Sequence, residues 1–560
     1  MTQIRSSLNV WTLFAAVTLT VIIAAALVWA IHHPYGVHWD EAQYLNEGSI
    51  DAQRLQHGML LKLGGRLLVK SWGRPPAYRL LALPLLGLLG FHTTTARCTS
   101  LICYALSSLF VYLASRRIAG RGAGGFAMLC FLLSPVVVSA SIWFSTEGPL
   151  YLATSAMFYF LFRIWDDRTE QSIGWIGLGL AIGLGLLSKA SFIAIMAPVM
   201  LLWLVAGRWE RIGIGHLISL WKAGLVALIV AGPWWALNIK PAIAMAQQAR
   251  GFVANSLGPP SFGTWARWLS TVCQSLLGYG LSILICVVLL GWIYRRFIKK
   301  SVDLVPSQKA ALWASACAGC PIVLIQLTGT NHLLRHISPA VIPLAIAAGV
   351  LVGNLDWDRS RAFVVLTTVL LVAQLLLIVT PLFFPNREPL DAGLANASLP
   401  WRIMARSEQW DWDPLLRISR DCGIDSPAIS YLGLGPAFNQ PQIERPWATW
   451  AASMRDTTFP YPDVRLLWRY EQGPLDWAKV MAAAEQSDIV VTAPHYVGDV
   501  TDKDDVENRH NAEFAARLSS DSAFRSPISL EMGRFKAVEL QVFTKKSLPC
   551  HLPESVPGKP

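Results

Sequence analysis

Runs of about 20 apolar residues recur along most of this chain, and nothing else in the sequence restricts its fold as strongly. A helix of that length crosses a hydrocarbon layer of roughly 30 Å. Inside lipid every backbone polar group must be satisfied within the segment, which favours helices. The runs lie near Val10–Ile31, Cys98–Ser115, Gly124–Ser145, Pro149–Ile164, Ile173–Ser188, Ala190–Val205, Leu217–Leu237, Trp268–Tyr294, Ala310–Leu327, Ile337–Val352 and Ala362–Leu382. They make about eleven expected spans on the hydropathy criterion. Of the 560 residues, 53% are hydrophobic and 15% charged, whereas soluble proteins average about 25% charged. The expected fold class is a polytopic α-helical membrane protein.

The loops orient these spans. Arg116, Arg117 and Arg121, Arg163 and Arg168, Arg208 and Arg211, Arg295, Arg296, Lys299 and Lys300, and Arg359 and Arg361 all fall on the side of the N-terminus. That is the positive-inside pattern, which places the N-terminus in the cytoplasm. The apolar core of Val10–Ile31 is longer than a signal-peptide core, so it reads as a retained anchor. The net charge of +11 is assigned to topology and anionic lipid rather than to nucleic acid. The many tryptophans, Trp234, Trp235, Trp265 and Trp268 among them, read as an interfacial belt.

The expected organisation is a transmembrane catalytic domain over residues 1–383 and a soluble domain over 384–560. Residues 32–97 form a long first outer loop, basic but long enough to translocate regardless of its charge. Within it, the apolar run Ala77–Phe91 is too short to span and reads as interfacial or re-entrant. An odd number of spans puts residues 384–560 outside the cytoplasm. There, Ser426–Leu432, Asp488–Thr492 and Ala537–Phe543 read as strands, and Leu475–Ala484 and Ala512–Leu518 as helices. Strands alternating with helices predict a small extracytoplasmic α/β domain. Cys422 and Cys550 fall within it, and an oxidising compartment would permit a disulfide between them. The Cys317/Cys320 pair lies in an apolar span with no second pair and reads as core packing.

Polar residues at span ends carry the candidate chemistry. Asp40 and Glu41, in His38-Trp39-Asp40-Glu41-Ala42-Gln43-Tyr44, follow the first span. Charges beside hydrocarbon are costly and usually have a reason to be there, and Asp40 reads as a catalytic base. On the same outer face the topology places Glu147, Lys189, Asn238, Lys240, Asn331, His332, Arg335 and His336. Acids and bases together suit a site that handles both a proton and a phosphate. Each has a plainer reading as well. Asp40 and Glu147 suit helix N-termini, and Lys189 and Arg335 suit snorkelling anchors. His332 and His336 have the i, i+4 spacing of a helical metal pair, but histidines are common at membrane interfaces and the pair reads as that. Thr501–Asn511 is acidic but lacks the glycine of a calcium loop and reads as a solvated loop.

The order of these features resembles the GT-C glycosyltransferases, specifically the protein O-mannosyltransferase and aminoarabinose-transferase group. The likeness rests on Asp40-Glu41-Ala42-Gln43-Tyr44 after the first span, Arg74-Pro75-Pro76-Ala77-Tyr78, Gly90 with Ala96-Arg97, Glu147 after the third span, Leu187-Ser188-Lys189-Ala190, and Arg335-His336 near a late span. Three positions depart from the group's pattern: Glu147 stands where Asp is usual, Arg74 precedes Pro-Pro, and His336 stands where Tyr is usual. The resemblance implies a polyprenyl-phosphate sugar donor and an inverting transfer to a protein, lipid or glycan acceptor at the periplasmic face of a bacterial inner membrane. On that reading Asp40, with Glu41 and Glu147, supplies the acid–base function. Arg74, Lys189 and Arg335 hold the donor phosphate, and Tyr44, Tyr78, Arg97, Asn238 and His336 are candidate substrate contacts. No cofactor or metal ligand set is assigned, and a divalent metal is left open. The competing reading is a multi-span transporter or flippase of a lipid-linked or small solute, which favours charges within spans and broken helices near the midplane. A third is a membrane-anchored binding protein whose business end is the soluble domain.

Overall fold

The computed structural model describes residues 10–36, 39–69, 74–166, 171–209, 214–257, 262–299, 303–328, 334–355, 361–384, 410–435, 437–453, 461–468, 474–494, 506–532 and 538–550. His38, Asn331, His332 and the acidic stretch 501–505 lie outside them. By packing, the chain divides into two compact units. The first comprises 1–30, 64–81 and 97–405, and the second 31–63, 82–96 and 406–560.

The helices of the first part of the chain are α1 (Val10–His32), α2 (Trp39–Gln56), α3 (Leu60–Val69), α4 (Ala77–Leu89), α5 (Thr93–Leu132), α6 (Pro135–Ser141), α7 (Glu147–Asp166) and α8 (Gln171–Ser188). They continue with α9 (Ile193–Trp209), α10 (Ile214–Leu257), α11 (Phe262–Thr271), α12 (Tyr279–Ile293), α13 (Pro306–Thr328), α14 (Leu334–Ile337), α15 (Val341–Gly353) and α16 (Arg361–Phe383). Among the described residues, seven helical stretches are long and apolar enough to cross a membrane: Val10–His32, Thr93–Leu132, Ile218–Met245, Tyr279–Ile298, Pro306–Ile325, Leu334–Gly353 and Arg361–Phe383. Ala77–Leu89, Ile173–Ser188 and Ala190–Val205 are apolar but shorter. The chain is an integral membrane protein. At 1.5 Å per residue, α4 reaches only about 20 Å, in keeping with an interfacial or re-entrant place for Ala77–Phe91.

Two expected span boundaries come out differently. Cys98–Ser115 and the start of Gly124–Ser145 belong to one helix, α5, kinked at Gly120 (φ 89°, ψ 179°). A side chain is strained at that φ, so glycine makes the kink. Helix α5 then stops at Leu132. Ser134 precedes Pro135 and takes an extended ψ of 115°, because the proline ring disfavours a helical residue before it. The expected span Trp268–Tyr294 is likewise interrupted, by a π-turn over Val272–Leu276 and by Gly278 at φ 79°. Side chains from elsewhere satisfy the backbone around the second interruption. Ser134 Oγ donates to Leu276 O at 2.5 Å, and Gln374 Oε1 of α16 accepts from Gly280 N at 3.4 Å. Irregular backbone at membrane depth is tolerated when protein groups satisfy it in this way.

The second part of the chain forms α17 (Asp413–Asp421), β1 (Ala428–Tyr431), α18 (Gln440–Ser453), β2 (Asp463–Leu466), α19 (Trp477–Glu485), β3 (Ile489–Thr492), α20 (Val506–Ser520), β4 (Ile528–Met532) and β5 (Val538–Thr544). The sheet order is β2-β1-β3-β5-β4. Strands β2, β1 and β3 are parallel, and β5 runs antiparallel to β3 and β4. All four residues of β3 are buried while β4 alternates, as expected for a central strand covered on both faces and an edge strand covered on one. Ile489 and Val491 enter one apolar cluster with Ile418, Ile443 and Trp447. Val490, on the opposite face, enters another with Val480, Phe514 and Leu518. The result is a sheet between helices, as the α/β reading predicts. Cys422 and Cys550, 128 residues apart, are joined by a disulfide.

Candidate active site

The cluster of opposite charges in the first unit forms at the ends of apolar helices. Glu147 opens α7, where the exposed amides and the helix dipole favour a carboxylate. Its side chain is 2% exposed, and Thr146 Oγ1 donates to its Oε2 at 3.3 Å. Lys189 follows the last residue of α8 and takes an extended conformation (φ −160°, ψ 135°) before a single 3₁₀ turn over Ala190–Phe192. That turn folds tightly because Gly185 lets the Phe192 ring onto α8. A Cβ at Gly185 would lie 2.4 Å from the ring.

The turn delivers Lys189 Nζ to 2.9 Å from Glu147 Oε1 and 3.3 Å from His336 Nδ1. A lysine ammonium can only donate, so this contact is a hydrogen bond when Nδ1 carries no proton. Arg335, beside His336, is near enough for its charge to act on Glu147. Four residues along α7, on the same helix face, buried Tyr151 shares a 2.6 Å hydrogen bond with Ser338 Oγ. Ser338 in turn donates to Arg335 O at 2.8 Å. Lys189 is 23% exposed in front of the buried Glu147. The carboxylate thus anchors a cation that still reaches solvent. An apolar groove of about 740 Å³ lies between α8, α9 and α10 in the same unit, lined by Ile182, Leu186, Met196, Met200, Leu228 and Trp235 among others.

The other expected site residues occupy varied surroundings. Asp40 and Glu41 stand in the first turn of α2. Asp40 is half-buried and Glu41 fully buried, with Tyr44 buried one turn on. Arg74 is half-buried before the buried Pro75-Pro76 pair. Tyr78 is buried with its ring 5.6 Å from that of Phe144. Arg97 is fully buried, its guanidinium 4.8 Å from the Trp29 ring centroid. Asn238 donates to Trp234 O at 2.9 Å and also to Leu68 O, so its amide holds α10 to α3. Thus Glu147, Lys189, Arg335 and His336 come together. Thr146, Tyr151 and Ser338 complete their surroundings and were not singled out in the sequence, although the i, i+4 spacing of Glu147 and Tyr151 was a usable signal. Among the described residues no group of three or more His, Cys, Asp or Glu is placed to hold a metal.

Residues 73–236 match the family model for dolichyl-phosphate-mannose-protein mannosyltransferase. Over 149 residues the chain is 32% identical to the undecaprenyl phosphate-alpha-4-amino-4-deoxy-L-arabinose arabinosyl transferase of Pseudomonas aeruginosa strain UCBPP-PA14, a match covering 25% of each chain. A second such transferase, from Pseudomonas fluorescens, is 31% identical over 142 residues, covering 24% of this chain and 23% of the relative. The matches therefore span about a quarter of the length of these relatives. In three dimensions the chain is similar to ArnT from Cupriavidus metallidurans bound to undecaprenyl phosphate, at 13% identity and a TM-score of 0.54, covering 95% of this chain and 98% of that one. It is also similar to the mycobacterial arabinofuranosyltransferase AftD, at 13% identity and a TM-score of 0.52, covering 95% of this chain and 40% of that one. The fold is thus the one that the sequence resemblance implies.

Proposed function

We propose that this chain is a membrane glycosyltransferase that moves a sugar from a polyprenyl-phosphate donor to an acceptor on the outer face of a bacterial inner membrane, inverting the anomeric centre. The observation that carries the reading is the Glu147–Lys189–His336 cluster beside Arg335. It forms at helix ends in a fold shared over 95% of the chain with a transferase whose structure holds undecaprenyl phosphate. A glycosyl phosphate already carries a good leaving group, so the site must stabilise its departing charge more than protonate it. Preorganised cations do this best where little solvent intervenes. Lys189 has three N–H donors, of which Glu147 and His336 account for two. The third turns to the phosphate, with Arg335 and Arg74 supplying further charge. A guanidinium can take two phosphate oxygens at once. The groove along α8, α9 and α10 matches the chemistry of a polyprenyl chain.

The acceptor hydroxyl is a weak nucleophile, and in this reading Asp40 removes its proton. General-base help of this kind contributes about 10²–10⁴-fold. Within the second unit, Glu41 stands beside Asp40 and Tyr44 lies one turn on, both candidates for acceptor contact; within the first, Glu147 anchors Lys189, and Tyr78 and His336 are candidates for donor contact. A single in-line displacement inverts the anomeric carbon. The N-terminus is cytoplasmic and the C-terminal domain periplasmic, which the Cys422–Cys550 disulfide supports, since such bonds persist in oxidising compartments. The test is sugar transfer in membranes with polyprenyl-phosphate sugar donors, comparing wild type with Asp40→Asn at equal protein level. Loss of transfer in the variant is expected. Full activity in Asp40→Asn removes Asp40 from the mechanism.

A further inference from the structure

The helix that carries Asp40 is unusual for its composition. Helix α2 buries Glu41, Asn46, Glu47, Ser49, Asp51 and Gln53. Burying a polar side chain is costly unless it is hydrogen-bonded, so something must fix these groups in place. Within the second unit, α18 meets two of them, Asn46 and Ser49. Its residues 441, 442, 445 and 448 recur at helical spacing and therefore share one face. Each contacts α2 or the chain just ahead of it. Pro441 O accepts from Asn46 Nδ2 at 2.8 Å, and Ala448 O lies 3.4 Å from Ser49 Oγ, whose shorter bond goes to Asn46 O at 2.8 Å. Gln442 Nε2 donates to Gly36 O. A Cβ on Gly36 would lie 3.1 Å from Ala42 Cα, so this segment lies close against the first turns of α2.

Arg445 closes the arrangement. It is 8% exposed. Its Nη1 donates to Asn46 Oδ1 at 3.4 Å and its Nη2 to Thr93 Oγ1 at 3.1 Å. Its guanidinium carbon lies 5.1 Å from the Phe91 ring centroid. One planar fork thus joins α2, the start of α5 and the turn before it. The Asn46 amide is held at both ends, its oxygen by Arg445 and its nitrogen by Pro441. Asn46 lies six residues beyond Asp40, about 9 Å along the same helix. Tyr35, ahead of α2, is hydrogen-bonded to Asp411 ahead of α17.

We infer that Arg445, with Gln442, is a positioning residue, and that the C-terminal domain serves the transfer reaction by clamping α2 so that Asp40 is held in register. The inference rests on the proposed role of Asp40 as base. An ammonium cannot reproduce the fork. A lysine at 445 keeps the buried positive charge but cannot bond Asn46 and Thr93 together while stacking on Phe91. Small misplacements of a reacting group are costly, with about 1 Å worth up to 10²-fold in rate.

The experiment uses the full-length protein in nanodiscs, with Arg445→Lys, Arg445→Met and Gln442→Glu. The last is nearly isosteric but sets a carboxylate against the Gly36 carbonyl. Two readouts are taken on folded protein: kcat and donor KM for transfer, and hydrogen exchange of the α2 amides with the β1–β3 core as internal reference. The expected result is a fall in kcat of about 10- to 100-fold with donor KM within about twofold. The order of severity is Met, then Lys, and exchange of the first two turns of α2 is faster while that of the core is unchanged. Unchanged kcat per folded molecule, or unchanged α2 exchange, overturns the inference. A wild type that transfers no sugar refutes the functional reading instead, and the exchange readout then decides the clamp alone.

Discussion

Removing the charge of Lys189 should damage stability and activity by separable amounts. In Lys189→Met the Glu147 carboxylate, 2% exposed, loses the ammonium 2.9 Å away and keeps only the field of Arg335 and His336. Breaking a buried pair from one side costs about 3–5 kcal/mol. Glu147→Gln leaves the lysine, which is 23% exposed and retains water. There the amide oxygen still accepts from Nζ and only the carboxylate's charge is lost, at a cost below the value of a whole charge-assisted hydrogen bond, about 1.5–3 kcal/mol. The double variant Glu147→Gln/Lys189→Met carries neither charge, so most of the stability lost in Lys189→Met should return. Activity should follow a different order. If Lys189 stabilises the departing phosphate, its removal costs about 10²–10³-fold in kcat, and the double variant stays as slow as Lys189→Met despite its recovered stability. The assay is thermal unfolding of each variant in nanodiscs, alongside transfer from a polyprenyl-phosphate sugar. A double variant that recovers activity together with stability would refute the argument, because Lys189 would then matter only as a partner for Glu147.

Two further predictions concern the C-terminal domain. Burial, with a smaller contribution from Asp463, pushes the Glu444 carboxyl up from its ordinary 4.5 to about 7, against hydrogen bonds from Gln440 and Tyr461. Between these values the unfolded chain loses the proton while the folded domain keeps it, so stability should be fully present at low pH, fall as pH rises from about 4.5 to 7, and then level off. The total is roughly 3 kcal/mol at 1.36 kcal/mol per unit. Glu444→Gln should flatten this slope in pH-dependent thermal unfolding, and an equal slope in the variant would contradict the assignment. Cys422→Ser should cost about 4–5 kcal/mol of domain stability, as expected from chain entropy for a loop of this length. Thiol labelling of the unfolded C-terminal domain, with alkylation before lysis, should find Cys422 and Cys550 unreactive without reductant. Ready labelling would argue against an oxidising location.

Much of the fold was legible because its signals are local. An apolar run long enough to span a membrane is visible without knowing its neighbours, and the α1, α13 and α16 regions were expected on that ground. Helix breaks are visible too, but easily misweighed. Pro135 and Gly120 both stand in the sequence, yet the kink at Gly120 joins two expected spans and the Ser134–Pro135 break shortens one. Strands β1, β3 and β5 were legible from apolar, β-branched runs. Strand β2, Asp-Val-Arg-Leu, and edge strand β4 were missed, since short strands with charged or polar outward positions look like loops. The acidic pair at Asp40 and Glu41 was read as following the first span, with a helix N-terminus only as the plainer alternative for Asp40; it opens α2, and nothing local in the sequence signalled that helix's burial.

Sequence alone determined the membrane class, the approximate placement of most apolar helices and which polar residues fall at their ends. Only the tertiary structure decided which of those residues meet. Glu147 and Lys189 are 42 residues apart, Lys189 and His336 147, and Arg445 and Asn46 399. The reason is physical. Hydrophobicity acts along each segment and needs no partner to be recognised, whereas a buried charge or amide is tolerable only beside its complement. That complement is supplied by whichever helix end or distant domain packing brings against it.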